Sequence, residues 1–189
     1  MTSFTALWLP IILSAVFVFI ATWIIHMLPF WHHKDYPPVP NEDALRAAVG
    51  PLGIPPGDYM VPRAMSMKEM QSPEFDAKLT QGPVLVLTVM KNEVFAMGPM
   101  LAFWFVHCLV ISFFSAYVAG RALPPGAPYL EVFRFAGTAT FFCYAVGLWQ
   151  MSIWYKRKWS VTFRYTIDGL IYALLTGGTF GWLWPATQG

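Results

Sequence analysis

Met60, Met65, Met67 and Met70 fall within eleven residues, and thioether sulfur is a soft ligand that selects Cu(I). His32 and His33, with Asp35 close by, offer harder ligands where the first apolar run of the chain ends. A plainer reading competes with a soft-metal site: methionines fill irregular apolar contacts, and paired histidines sit comfortably at a membrane interface. The plainer reading is preferred, so no metal ligand is assigned.

His26 and His107 raise a second chemistry, since imidazoles from two helices can supply the axial ligands of a haem. His26 lies just before Pro29, at one end of its apolar run, whereas His107 sits about ten residues into the next. At about 1.5 Å per residue the two would differ in height by roughly 10 Å. A lone intramembrane His107, hydrogen-bonded to a neighbouring helix, is the better expectation, and no cofactor is assigned.

Charged residues inside lipid are the usual mark of a transport path. Here the candidates are two short-range pairs: Glu131 with Arg134, three apart, and Arg164 with Asp168, four apart. Each spacing lets the two partners meet on one helix face, and an acid suits the positive end of a helix dipole. Both pairs are expected to be interfacial anchors rather than a proton relay, with Asp168 the most informative residue to replace. No Gly-x-Ser-x-Gly, His-Glu-x-x-His, Walker A or dinucleotide-glycine motif occurs. Gly177-Gly178 lies in an apolar run, where helix packing explains it. No catalytic residue is assigned and the chain is expected not to be an enzyme. A membrane enzyme acting on lipid stays open, because such a site can be assembled from isolated polar residues, but nothing in the sequence favours it.

The elements that carry these residues follow from composition. Of 189 residues, 57% are hydrophobic and 12% charged, against about 25% charged in an ordinary soluble domain. No Asp, Glu, Lys or Arg precedes Lys34 and none follows Asp168. The net charge of +2 is too small to suggest nucleic-acid binding and no stretch combines a dense basic patch with a reading motif, so no nucleic-acid partner is expected. Cys108 and Cys143 both lie in apolar runs, as small buried hydrophobes do, and suggest no disulfide framework. The run Leu7 to Leu28 lacks the basic leader and small-residue cleavage site of a signal peptide, so it is expected to remain as a membrane helix.

A lipid-spanning helix needs about 20 apolar residues. Four stretches meet this: Leu7 to Leu28, the region between Glu93 and Arg121, Phe135 to Trp154, and a glycine-rich stretch from near Asp168 to Trp184. Trp31, Trp154, Tyr155, Trp159, Trp182 and Trp184 mark their ends, as headgroup-seeking aromatics do. The expectation is an all-α integral membrane protein with four transmembrane helices: residues 1–29 hold the first, residues 30–97 a folded, partly irregular loop, and residues 98–189 the other three. Lys156, Arg157, Lys158 and Arg164 against Arg121 and Arg134 place the 156–166 loop in the cytoplasm. The 30–97 loop then faces the cytoplasm and both termini face outward, which further weakens a copper role for the methionines. Within that loop, Asn41 should cap a short helix to Val49, and Pro83 to Met90 should form a strand or an interfacial segment.

Ser112, Ala116 and Gly120, and likewise Ala173, Gly177 and Gly181, recur every four residues and form smooth faces for close helix packing. The stretch Ser152-Ile153-Trp154-Tyr155-Lys156-Arg157-Lys158-Trp159, with Ile167 to Leu175, resembles the family known as domain of unknown function 1761, small four-helix bacterial membrane proteins. Leu28-Pro29-Phe30-Trp31, Ala119-Gly120-Arg121 and Gly181-Trp182-Leu183-Trp184-Pro185 belong to the same comparison. The resemblance covers the four helices and implies a bacterial inner membrane; it implies no activity, and the long 30–97 loop departs from it. The expected role is an accessory or structural subunit of a larger membrane complex, or a homo-oligomer, with the lipid bilayer and other subunits or copies of itself as partners. The alternative is a transporter or copper-handling protein built on the methionine and histidine residues.

Overall fold

The computed structural model describes residues 1–28 and 30–186. In chain order the helices are α1 (Trp8–Met27), α2 (Glu42–Val49), α3 (Met67–Met70), α4 (Pro73–Gln81), α5 (Met97–Ala122), α6 (Tyr129–Tyr144), α7 (Trp149–Trp154) and α8 (Trp159–Trp182). Two strands, β1 (Gly57–Val61) and β2 (Leu85–Val89), fall between α2 and α5. The chain divides into two compact units, Met1–Pro37 with Ala96–Gly189, and Pro38–Phe95.

The first unit is a helical bundle. Three of its segments are long and apolar enough to cross a membrane: Trp8–Met27, Met97–Ala122 and Tyr129–Trp154. α1 accepts Pro10 because it falls in the first turn, where its missing N–H costs no helical bond. Leu28 is already extended, as the residue before a proline tends to be; Pro29 itself, expected to end the helix, lies outside the described residues. The third apolar run starts earlier than expected, at Tyr129 after Pro128, and is not one unbroken helix. It leaves α geometry after Tyr144, passes through a 3-10 turn at Val146–Leu148, and resumes as α7. Gly147, a poor helix former, lies in that turn. α8 begins at Trp159 rather than near Asp168, so Arg164 and Asp168 both lie inside it.

Neighbouring helices run antiparallel. Leu7 packs at Gly120, Ser14 meets Ser112, and Phe19 stacks edge-on to Phe105, which pairs α1 with α5 in opposite directions. Tyr129 lies on Gly181, Phe133 on Gly177 and Ala145 on Gly169, which does the same for α6 and α8. Both small-residue faces read from the sequence are therefore filled inside the chain. A methyl group placed on Gly177 would lie 2.8 Å from the Phe133 carbonyl oxygen, and one on Gly181 would lie 2.7 Å from the Tyr129 ring. One end of the bundle gathers the start of α1, the end of α5, the start of α6 and the end of α8. There Gly126, at φ +76, donates to the Pro185 carbonyl, and Trp184 Nε1 donates to Pro124. The opposite end gathers the end of α1 and the start of α8.

The bundle interior is partly polar. Ser115 meets Thr140 at 2.8 Å and Ser152 meets Thr162 at 2.6 Å, each pair buried. Ser14, Ser115 and Thr140 also lie within hydrogen-bond reach of carbonyls one turn earlier, so each single hydroxyl proton has an acceptor without water. Apolar clusters flank them: Leu7, Ala116, Ala119, Val132, Ala136 and Phe180 at one level, and Ala15, Val18, Cys108, Ile111, Tyr144 and Tyr172 at another.

The second unit is built from short capped elements. Asn41 accepts from the Ala44 N–H at the start of α2, the cap expected from sequence. Ser66 and Ser72 cap α3 and α4 in the same way, with Pro73 at the first position of α4. β1 and β2 pair antiparallel, from Gly57 opposite Val89 to Val61 opposite Leu85, and Thr88 donates to Asp58 across the pair at 2.7 Å. The strand alternative for residues 83–90 is thus the one realised. Phe75 of α4 is buried, whereas Met60, Met65, Met67 and Met70 are all exposed.

Candidate functional site

An ionised side chain inside a helical bundle must find partners, because lipid and packed protein supply no water to solvate it. Asp168, the only ionisable residue of α8 apart from Arg164 and two tyrosines, is 1% exposed. It is met from the segment that follows α1. Trp31 Nε1 donates to Asp168 Oδ1 at 2.8 Å. His32 Nε2 lies 3.0 Å from Asp168 Oδ2, an ion contact set off the line of a hydrogen bond.

The other ring nitrogen of His32 is engaged as well. Nδ1 is 2.8 Å from Asp35 Oδ2, and Arg164 donates from Nη2 to Asp35 Oδ1. The side chains of His32, Asp35 and Asp168 are 10%, 2% and 2% exposed. The result is a closed chain, Arg164 to Asp35 to His32 to Asp168 to Trp31, joining the end of α1 to the start of α8. The two acids, the guanidinium and the imidazole alternate along the chain, so each buried polar group faces one of complementary character, which lowers the cost of burying them. Burial alone would raise the Asp35 carboxyl, but the hydrogen bonds from His32 and Arg164 outweigh it and hold Asp35 below its ordinary range.

Aromatic rings wall the cluster. The His26 ring stacks on His32 with centroids 4.4 Å apart, and Tyr165 lies 4.9 Å from His32 on another side. The Arg157 guanidinium sits over the Tyr165 ring at 4.9 Å, a cation–π contact. His26 also contacts the Thr22 carbonyl through Nδ1 at 3.0 Å, so the last turn of α1 carries one wall of the site.

Several expectations change here. Arg164 and Asp168 do not pair with each other: Asp168 turns inward to Trp31 and His32, while Arg164 reaches Asp35. The helical spacing permits the local pair, but Asp168 instead takes the Trp31 indole N–H and the His32 ring as neighbours, and the partly exposed Arg164 guanidinium goes to Asp35. Glu131 and Arg134 are both exposed, and the ion contacts among the described residues do not include them. His26 and His107 lie in different surroundings, since His107 packs against the rings of Trp104 and Tyr144 at 5.2 and 5.7 Å. His33 is exposed. Among the described residues no group of three His, Cys, Asp or Glu side chains is arranged to hold a metal ion. Cys108 is buried, Cys143 exposed, and both are free thiols.

Sequence reasoning singled out Asp168, Arg164, His32 and Asp35 but separated them into two places. It missed Trp31 as a donor, having read it as a headgroup anchor. The available signal was physical: an acid within an apolar segment needs several donors, and Trp31-His32 is the donor-rich stretch at the mouth of the first helix. The cluster can hold two chain segments together and share a proton between imidazole and carboxylate. No protein family, curated protein or solved structure matches this chain.

Proposed function

We propose that this chain is a four-span membrane protein that works without catalysis, as an accessory or structural subunit of a larger membrane complex or as a homo-oligomer. The observation that carries this reading is the closure of the cluster: both nitrogens of His32 face carboxylates, and the three central side chains are at most 10% exposed. A catalytic imidazole needs a face open to substrate. This one binds the chain to itself and fixes the register of α1 against α8.

The fourth span is supported by the distribution of residues along α8. Its 24 residues would extend about 36 Å, enough to cross a hydrocarbon core. Its modest hydropathy comes from the inward face, where Thr162, Asp168, Thr176 and Thr179 are buried. Beyond Ser160 the exposed residues are Phe163, Leu170, Leu174 and Trp182, all suited to lipid. The resemblance to a four-helix bacterial family points the same way, and the basic residues 156–158 support cytoplasmic placement of that loop with outward termini.

With both small-residue faces already used within the chain, a partner would meet the apolar exterior or the Pro38–Phe95 unit, whose methionines are exposed. The copper alternative draws less support, because His32 and Asp35 are committed to the bundle. Solubilisation in mild detergent, followed by mass determination and identification of bound proteins, tests the proposal. A stoichiometric partner or more than one copy is expected; a lone monomer would overturn it.

A further inference from the structure

The arginines of the bundle are not answered alike. At the end bearing His32, Arg164 has Asp35, Arg157 has the Tyr165 ring, and Lys156 Nζ donates to the Ile153 carbonyl. At the other end, Arg121 reaches Met1 Sδ and lies 5.6 Å from the Tyr117 ring centroid. Arg134 has neither a carboxylate nor a hydrogen-bond acceptor among the described residues, although Glu131 is one turn away.

Arg134 stands at the head of a groove of about 380 Å³ between α5 and α6. Val118 of α5 and Phe135, Thr138, Ala139 and Phe142 of α6 line the rest. Arg134, Thr138 and Phe142 follow one another at four-residue spacing, with Phe135 and Ala139 alongside, so the groove runs along the helix axis for roughly 12 Å. Ala139 forms a floor between larger side chains. The face is turned outward on two helices apolar enough to cross a membrane, where acyl chains are the solvent.

We infer that this groove is a binding site for an anionic glycerophospholipid, with one acyl chain along Phe135, Ala139 and Phe142 and the phosphate on Arg134. Charge selects this occupant. A guanidinium with no partner among the described residues, at one end of an apolar slot, matches a molecule whose anion and hydrocarbon are joined in that order. A second copy docking through the same face about a two-fold axis along the membrane normal would set like charges side by side. The inference needs α5 and α6 to lie in lipid and is independent of whether the chain serves as a subunit.

The test is native mass spectrometry of the full chain in detergent micelles holding equimolar phosphatidylglycerol and phosphatidylcholine. The wild type should retain phosphatidylglycerol about five-fold over phosphatidylcholine, the scale of one basic residue's attraction to anionic lipid. Arg134→Gln should bring the ratio to about one, Arg134→Lys should keep most of it, and Ala139→Phe should lower retention of both lipids by filling the slot. Arg121→Gln should leave the preference intact. Arg134 is exposed and unpartnered, so its substitution leaves the fold in place. Equal retention by the wild type, an undiminished preference in Arg134→Gln, equal losses from Arg121→Gln and Arg134→Gln, or full retention by Ala139→Phe would each overturn the site.

Discussion

Compare the end of the bundle that holds Asp168 with the end that holds Arg134. At the first, two acidic side chains and an imidazole are buried beside a partly exposed guanidinium, and each faces another of the four within the chain. At the second, the helix ends are tied by backbone and hydroxyl bonds: Thr2 Oγ1 donates to the Leu123 carbonyl, Gly126 to Pro185 and Trp184 to Pro124, while the arginines find no carboxylate. The difference shows two ways to finish a membrane bundle. Internal ion pairs lock the chain whatever surrounds it, whereas uncharged ties leave cations free for the environment to answer. Replacing residues at each end should therefore give effects of very different size.

The largest effect is expected at Asp168. Asp168→Ala removes the acceptor of Trp31 Nε1 and one carboxylate from His32, leaving a buried donor and an unbalanced cluster. Breaking a buried pair from one side costs about 3–5 kcal/mol. The detergent-solubilised variant should melt well below the wild type, and a loss under about 1 kcal/mol would show that the cluster does not lock this end. Between the two ends, the α6–α8 seam should respond next. Gly177→Ala would push a methyl to 2.8 Å from a backbone carbonyl that cannot rotate away, at a cost of about 1–3 kcal/mol. An unchanged melting temperature for this variant would mean that the helices are not in such close contact.

Acidification separates the ends by charge rather than by packing. Asp35 is held below its ordinary value of 3.8 by His32 and Arg164, against the opposing effect of its burial. A lowered carboxyl contributes stability that is whole above 3.8 and disappears as pH falls through the folded value. The wild type should thus lose stability on acidification below that point, and Asp35→Asn, already lacking the charge, should start lower and respond less. Parallel melting curves for the two proteins across that range would contradict the ion pair.

Much of the bundle was legible in the sequence because the membrane imposes length and apolarity at once. The runs around α1 and α5 could hardly be read otherwise, and the Asn41 cap declared the start of α2. The start of α8 was not legible. Its first turns carry Arg164, Thr166 and Asp168, which read as a polar connection until their side chains are seen to face other protein rather than lipid. The cluster stayed hidden for a related reason. Neighbours along a helix are visible in sequence, so Arg164 and Asp168 were paired with each other, whereas Asp35 and Trp31 are reached only through a contact spanning more than a hundred residues. The destination of the small-residue faces was equally invisible, since a smooth stripe does not state whether its partner belongs to the same chain.

The smallest effect is expected at the other end. Arg134→Gln removes a charge that nothing among the described residues answers, from a side chain already exposed, so stability in lipid-free detergent should change by no more than about 0.5 kcal/mol. Arg164→Gln in the same detergent deprives buried Asp35 of its guanidinium and should cost more, though its own exposure of 23% keeps the loss nearer 1 kcal/mol than the full value of a buried pair. The informative quantity is the gap between the two arginines and its response to lipid. Adding phosphatidylglycerol should raise the melting temperature of the wild type and of Arg164→Gln but not of Arg134→Gln, because only the last lacks the cation that a lipid phosphate would answer. Equal costs for the two substitutions without lipid, or equal gains with it, would erase the distinction between an end closed by its own charges and one completed by the bilayer.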